Sequence, residues 1–546
     1  VQKVSPLRVA PRAVWWGVAS IPLGFLAIYV AWPSAALLWR AMFGDALADT
    51  ASTLSARTLG EVTATTLGLA TAGTITALLC GLAAAWALYR LRWPGAGFVR
   101  ILLSIPFALP TIVVAIAYSR LIAPDGLLSA TGSLAPWIAI AAALAVFNVA
   151  VVMRVVGGAW AALDPALVNV ARTLGASRFQ AWWHVTMPAL RPAIAGAAAL
   201  VFLFCSTSFA IVLVLGGTRI STLETEIWFQ VNIWLDLRAA ALLAVVQIVT
   251  VVGAVLVSSH VRKRSERKVS TLTSEGTRPA QPRDTVMVAL ALLPALVLVL
   301  APTVALIEGA FTGPSGWTLA YVSGLISSEI PAGLSVPIWQ ATLHSLEAAA
   351  LATAIAVPLG LALAWSTAHS RKPATLEAVV LMPVGVSAVI VGLGLLLTLA
   401  SGAWGPGWAD PRWLIPAAQA VIALPLVARS VTPTLRRISP QIRASAATLG
   451  AGPWAQWKEI DWPAARRPLA ASVGLAAAVS LGEFGATAFL ARPDHPTLPT
   501  VVFRMLSRPG AESLGTAFAA TLLLAVVTGI AIAIGEMIRG RTRSDI

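Results

Sequence analysis

The residue types able to do covalent or metal chemistry are few and scattered. His184, His260, His344, His369 and His495 contain no pair at metal-ligand spacing, so no metal site is expected. Cys80 and Cys205 lie inside apolar runs and read as small buried thiols rather than as a disulfide. No glycine-rich phosphate loop is present, because no lysine follows a glycine. No nucleophile stands beside a base in a recognisable constellation. What remains is a carboxylate in an apolar stretch, Glu483, between Gly482 and Phe484. A charge there is costly and faces either a polar path or a bonding partner on a neighbouring helix.

The elements that must position these residues are membrane helices. Of 546 residues, 58% are hydrophobic and only 11% are charged, against roughly 25% charged in soluble chains. That excludes both a water-soluble enzyme and a disordered chain. Segments of about 20 apolar residues predict twelve spans, at 14–39, 64–88, 100–122, 136–155, 193–216, 239–259, 285–308, 342–367, 375–400, 413–430, 469–491 and 514–537. The first is read as an uncleaved helix rather than a leader, being too long and without a small-residue cleavage site.

The 38 basic and 23 acidic side chains give a net charge of +15. In a soluble protein that would suggest nucleic acid. Here, with twelve spans, every basic cluster falls on one face, including residues 262–268 and the stretch from Arg429 to Arg467, while residues 284–370 contain no lysine or arginine. The excess therefore marks the cytoplasmic side, where both termini are expected, and nucleic acid is not an expected partner. The 21 tryptophans, many near span ends, read as an interfacial belt.

The chain repeats itself. Residues 260–284 are polar and basic and read as a linker between a first half, 1–259, and a second, 285–546. At a constant offset of 275, Arg154 pairs with Arg429, Pro165 with Pro440, Trp182 with Trp457, Pro188 with Pro463 and Phe209 with Phe484. Earlier in each half the offset drifts, pairing Pro106 with Pro383, Gly81 with Gly360 and Trp86 with Trp365. Both copies enter from the same side, so the repeats are parallel. The expected fold is an all-α integral membrane protein of two parallel six-helix repeats.

The clearest repeated feature is the loop at 164–188 and 439–463. In each copy a polar residue before proline, Asp164 or Ser439, predicts a helix start. Gly175 or Gly450 permits a left-handed cap that ends the short helix. A second amphipathic helix is expected to stop at Pro188 or Pro463. Apolar Leu174, Phe179, Leu449 and Trp454 lie near the turns and suit insertion into a groove on a partner. A helix lying on lipid is the alternative, disfavoured because two copies keep the same register.

This loop resembles the EAA loop of bacterial ATP-binding-cassette importer permeases: Glu-Ala-Ala, three residues, Gly, nine residues, Ile, one residue, Leu-Pro. Both copies keep the third position (Ala171, Ala446), the glycine, the nine-residue gap to Val185 or Ile460, and the final Pro188 or Pro463. They depart at the glutamate, which is Asn169 or Ala444, and at the leucine, which is Met187 or Trp462. The segments 480–485, 497–499 and 222–228 look like the fused ferric-iron and thiamine branch of type I permeases. The resemblance implies a multi-pass subunit of the bacterial inner membrane. It further implies two copies of a cytoplasmic ATPase, one per loop, that carry ATP and magnesium, an extracytoplasmic binding protein, and no cofactor on this chain.

Ser206, Thr207, Ser208 and Phe209 in the first half, and Gly482, Glu483 and Phe484 in the second, are expected to face the translocation path or gate. Glu224, Glu226, Asp236 and Asp494 read as solvated loop charges on the opposite face. A twelve-span transporter driven by an ion gradient is the competing class. It needs intramembrane coupling groups, of which Glu483 is the one good candidate, and it gives no reason for two matched loops.

Overall fold

The computed structural model describes residues 12–43, 56–266, 278–281, 284–370, 376–377, 379–380, 386–401 and 409–541. Among them the chain is helical nearly throughout, with two-residue strands as its β structure. Nine of the described helices are long and apolar enough to cross a membrane. These include Thr58–Arg90, Ser129–Ala161, Ile338–Ala368 and Pro411–Arg437. In lipid, helices are the form that satisfies every backbone donor and acceptor internally.

The twelve expected spans are therefore not twelve straight helices. The segment expected at 100–122 is two helices, Ala96–Ala108 and Thr111–Leu121, bent by 102°. The bend falls at Leu109-Pro110, where proline supplies no N–H and forces its predecessor into extended backbone (ψ 150°). The segments at 193–216 and 469–491 each contain a helix that breaks, after Ser206 and after Leu481. Of the segment at 375–400, the helix Ala388–Thr398 is described, while Pro383 and the neighbouring Arg371 and Lys372 lie outside the described residues. Part of the linker is described. Residues up to Glu266 continue the helix Leu237–Glu266, and Arg278–Pro279 pairs in parallel with Leu91–Arg92; residues 267–277 lie outside the described residues.

The repeat survives as geometry. Pro165–Thr173 matches Pro440–Thr448, and Met187–Ser206 matches Trp462–Leu481, at the offset of 275. Thr222 and Thr497 each close a reciprocal cap with the threonine three residues on. The next backbone N–H donates to a hydroxyl on the preceding long helix: Leu223 to Thr66 at 3.0 Å, Leu498 to Ser345 at 2.7 Å. The pairing of Gly81 with Gly360 has a packing cause. A Cβ on Gly81 would lie 2.5 Å from Val152 Cβ, and one on Gly360 would lie 2.6 Å from Val427 Cβ. Helices packed that closely exclude any side chain.

The repeat boundary and the packing boundary differ. One compact unit is Ala46–Thr312; the other is Val1–Asp45 with Gly313–Ile546. The halves expected at 1–259 and 285–546 are units of sequence, and the leading helix of each packs outside its own half. In the first unit the helix Asp284–Phe311 buries Leu292 and Val299 in the core, and Leu298 O accepts from Tyr118 Oη at 2.8 Å. In the second, Leu26 and Val30 bury among Val391 and Leu395, and Trp15 Nε1 donates to Ser366 O at 2.9 Å.

Candidate functional site

Each repeated loop begins with the cap expected of it. The Asp164 carboxylate accepts from the Ala166 N–H at 2.8 Å, and the Ser439 hydroxyl from the Gln441 N–H at 3.3 Å. The nine-residue helices end identically. Gly175 and Gly450 take φ of 91° and 86°. The residue after each glycine donates back to the third-position alanine, Ala176 to Ala171 O at 3.0 Å and Ala451 to Ala446 O at 2.9 Å. The glycines themselves donate to Arg172 O and Ala447 O. This is the Schellman arrangement, which satisfies carbonyls that the helix end would leave open. The repeated spacing between alanine and glycine is thus the geometry of a helix stop.

The turns present apolar tips. Leu174 is 83% exposed and Leu449 88%, with Phe179 and Trp454 also exposed. Val170, Leu167 and Ile442 extend the apolar surface. Asn169 is exposed and Ala444 half-buried. Such tips are paired surface features of the kind that mark docking sites.

The second helix of each loop does not stop at proline. Arg178–Ser206 is one continuous helix, through a π-helical turn at Trp182–Thr186 and on past Pro188. The second copy does the same through Trp457–Asp461 and past Pro463. Proline breaks a ladder of i to i−4 bonds, and in both copies a wider π turn lies just before it, with the helix continuing beyond. Repeated loop and membrane helix are therefore one rod in each half, which proline's reputation as a terminator concealed in the sequence.

Behind the loops the halves diverge. In the second, Asp461 is 2% exposed. Its Oδ1 accepts from Arg443 Nη2 at 2.6 Å and Nε at 3.1 Å, and its Oδ2 from Trp365 Nε1 at 3.0 Å. His369 Nε2 lies 3.6 Å from the same Oδ2 and stacks on Trp365 at 4.4 Å. Arg443 also donates to Leu435 O at 3.2 Å. This buried network joins the loop's first helix, its second helix and the long helix Ile338–Ala368. Neither Arg443 nor Asp461 was singled out in the sequence. In the first half the corresponding residues are Val168 and Thr186. There a cavity of about 540 Å³ opens among Trp86, Arg90, Trp160, Arg178 and Trp182.

The candidate path residues gather at the helix breaks. Ser206, Phe209, Gly482, Glu483 and Phe484 are buried, with Thr207 and Ser208 half-buried. Glu483 folds back on its own chain: its carboxylate accepts from the N–H groups of Ala486 and Thr487, at 2.7 and 3.1 Å, and from the Thr487 hydroxyl at 2.6 Å. It holds the turn between Leu481 and the helix Thr487–Leu490, whose tightness shows where a Cβ on Gly392 would meet Ala486 Cα at 2.7 Å. In the first half Gln247 Nε2 bridges Ser206 O and Glu224 Oε1, both at 3.2 Å. Glu224 is 1% exposed, so it is not the solvated loop charge expected. Its helix, Leu223–Asn232, turns it inward against Leu237–Glu266. Asp236 caps the start of that same long helix, and Asp494 is exposed. Among the described residues no group of three or more metal-ligating side chains is assembled.

The profile of the family described as "Binding-protein-dependent transport system inner membrane component" matches residues 77–270. That match contains the first loop, the break at 206–208 and the last span of the first half. The thiamine transport system permease protein ThiP of Escherichia coli (strain K12) is 27% identical over 77% of this chain and 78% of its own length. The protein of the same name from Salmonella typhimurium (strain LT2) is 26% identical over 81% and 82%. The sulfate transport system permease protein CysT of Escherichia coli is 32% identical over 24% of this chain and half of its own length. Paired loops, apolar helices and relatives that run through both halves agree: along most of its length the chain is similar to fused permease subunits of the binding-protein-dependent importers, and it has the apolar helices of a multi-pass inner-membrane transport subunit.

Proposed function

We propose that the chain imports thiamine, and that its loops 164–188 and 439–463 each seat in one copy of a cytoplasmic ATPase. The observation carrying the coupling reading is that two apolar tips, at Leu174 and Leu449, stand on matching glycine-stopped helices. Each is followed by a helix that runs unbroken into the following apolar segment, Arg178–Ser206 in the first copy and from Pro453 to Leu481 in the second. Movement of a tip is then movement of a membrane helix, which is how rigid-body alternating access needs to be driven. In this reading ATP and magnesium are held by the partners, and the chain itself binds no cofactor. An extracytoplasmic binding protein delivers substrate, and both termini lie in the cytoplasm. Ser206 to Phe209 and Gly482 to Phe484 line or gate the path, because the helix breaks there free the backbone to reshape.

Thiamine rests on relatives of that name that cover 77–81% of the chain. The ion-gradient alternative is not favoured: its one candidate coupling group, Glu483, is engaged in a local helix cap. The test is uptake of labelled thiamine by cells that depend on this permease, with ferric iron as the comparison. Co-purification of an ATPase with the intact chain, lost on replacing Leu174 and Leu449 with aspartate, tests the loops separately. Uptake of iron but not thiamine would overturn the substrate, and retained ATPase would overturn the docking.

A further inference from the structure

The internal repeat places chemically different supports behind the two repeated loops. In the second half the loop's first helix supplies Arg443 and its second supplies Asp461, 6% and 2% exposed. The guanidinium reaches one carboxylate oxygen through two nitrogens, at 2.6 and 3.1 Å, and the other oxygen accepts from the Trp365 indole N–H at 3.0 Å. Arg443 also donates to Leu435 O, on the helix Pro411–Arg437 that leads into the loop. One buried ion pair thus fastens the two loop helices to each other and to two membrane helices.

At the same repeat offset the first half has Val168 for Arg443 and Thr186 for Asp461. Valine and threonine cannot form an ion pair, although the indole is kept, as Trp86. Val168 and Thr186 line the cavity of about 540 Å³, with Trp86, Trp160 and Trp182 also in its wall. Side chains of the first loop bond within their own loop: the Asp164 carboxylate accepts from Ala166 N–H, Ser177 and Gln180 cap each other, and His184 Nδ1 meets Gln180 O. The first loop therefore stands over a cavity where the second stands on a salt bridge. Parting a buried ion pair strands its charges and is costly. A helix beside a cavity has fewer packed contacts to hold it still.

We propose that Arg443 and Asp461 are positioning residues for transport, which make the second loop a stiff lever while the first, without the pair, is compliant. The inference rests on the proposed function in taking both loops as seats for ATPases. Two copies of one ATPase then push on unequal levers. A stroke at the second loop passes to Ile338–Ala368 and Pro411–Arg437 with little loss, and a stroke at the first is partly absorbed at the cavity. Equal strokes become unequal movements of the two repeats.

The experiment is hydrogen–deuterium exchange of the full chain in nanodiscs, read beside the thiamine imported per ATP hydrolysed by the complete transporter. In the natural chain the amides of 440–449 are expected to exchange at least about tenfold more slowly than those of 165–174, after allowance for sequence. Arg443→Val with Asp461→Thr copies the pair of residues with which the first half already folds. It is expected to bring the second loop to the first loop's rate and to lower thiamine per ATP at least about threefold. The reverse exchange, Val168→Arg with Thr186→Asp, is expected to slow the first loop. Loops that exchange alike in the natural chain overturn the proposal. So does a doubly substituted second loop that exchanges faster, or a chain that melts lower, while thiamine per ATP is unchanged, which is the result a merely structural pair would give. Exchange is read on the chain without its partners, so failure of the docking reading, seen as no ATPase co-purifying, is distinguishable from failure here.

Discussion

Arg443 and Asp461, on the two helices of the second repeated loop, form a buried ion pair at 2.6 Å whose second carboxylate oxygen is held by Trp365 of a membrane helix. Removing one partner strands the other in a site with little water, at a cost of about 3–5 kcal/mol. Asp461→Ala is expected to lower the melting temperature of the purified permease sharply. Replacing both residues with leucine is expected to recover much of the loss, because an apolar pair leaves no charge uncompensated. A double variant as unstable as the single one would mean that the Trp365 and His369 contacts dominate.

The glycine stops predict a different kind of defect. A Cβ at Gly175 or Gly450 meets nothing within 4 Å, so a substitution there costs backbone strain alone. At φ near 90° that strain is about 1–2 kcal/mol. Gly175→Val and Gly450→Val are expected to leave the membrane helices folded while altering the angle of the exposed apolar tip. Thiamine uptake is expected to fall with the amount of protein in the membrane unchanged, as measured by transport and immunoblot together.

The close helix crossings predict rescue in pairs. Gly81→Ala is expected to destabilise by about 1–3 kcal/mol, since its Cβ would collide with Val152. Val152→Ala is expected to relieve it. The same holds for Gly360 with Val427. Thermal stability of the four variants in each set, arranged as a double-mutant cycle, measures the relief.

Acid sensitivity is expected from the loop at 491–497. The His495 imidazole is held below its ordinary value by burial, then by His344, whose ring is tilted against it with centroids 3.9 Å apart, and by Arg412, with Glu347 and Asp410 pulling the other way. A histidine kept neutral by folding stabilises the protein above its ordinary value of about 6.5, and that contribution is lost as pH falls toward the lowered one. The melting temperature is expected to drop through this window, and to drop less in His495→Gln.

Much of this was legible because repeats filter noise. Proline-led starts, glycine stops and exposed apolar tips recur at 164–188 and 439–463, and both copies fold as their spacing predicts. The segments 206–209 and 482–484 are marked in the sequence by their polar and glycine content, and helix breaks fall there. Two features were hidden for physical reasons. Pro188 and Pro463 look like terminators, and a π turn, which has no residue signature of its own, lets the helix pass. Arg443 and Asp461 differ between the halves, so a search for what repeats passes over them, and only side-chain proximity reveals the pair.

The interleaving of the compact units bears on how the chain is made. Residues 12–43 find their partners in 338–368 and 388–398, which leave the ribosome some three hundred residues later. At about 5–20 residues per second, the leading helix waits on the order of tens of seconds in the bilayer before its neighbours exist. The middle unit, Ala46–Thr312, is complete before that wait ends. A gene cut at the linker would therefore yield two products that must trade helices to fold. Fusion into one chain keeps the waiting helix tethered to the partner it is waiting for.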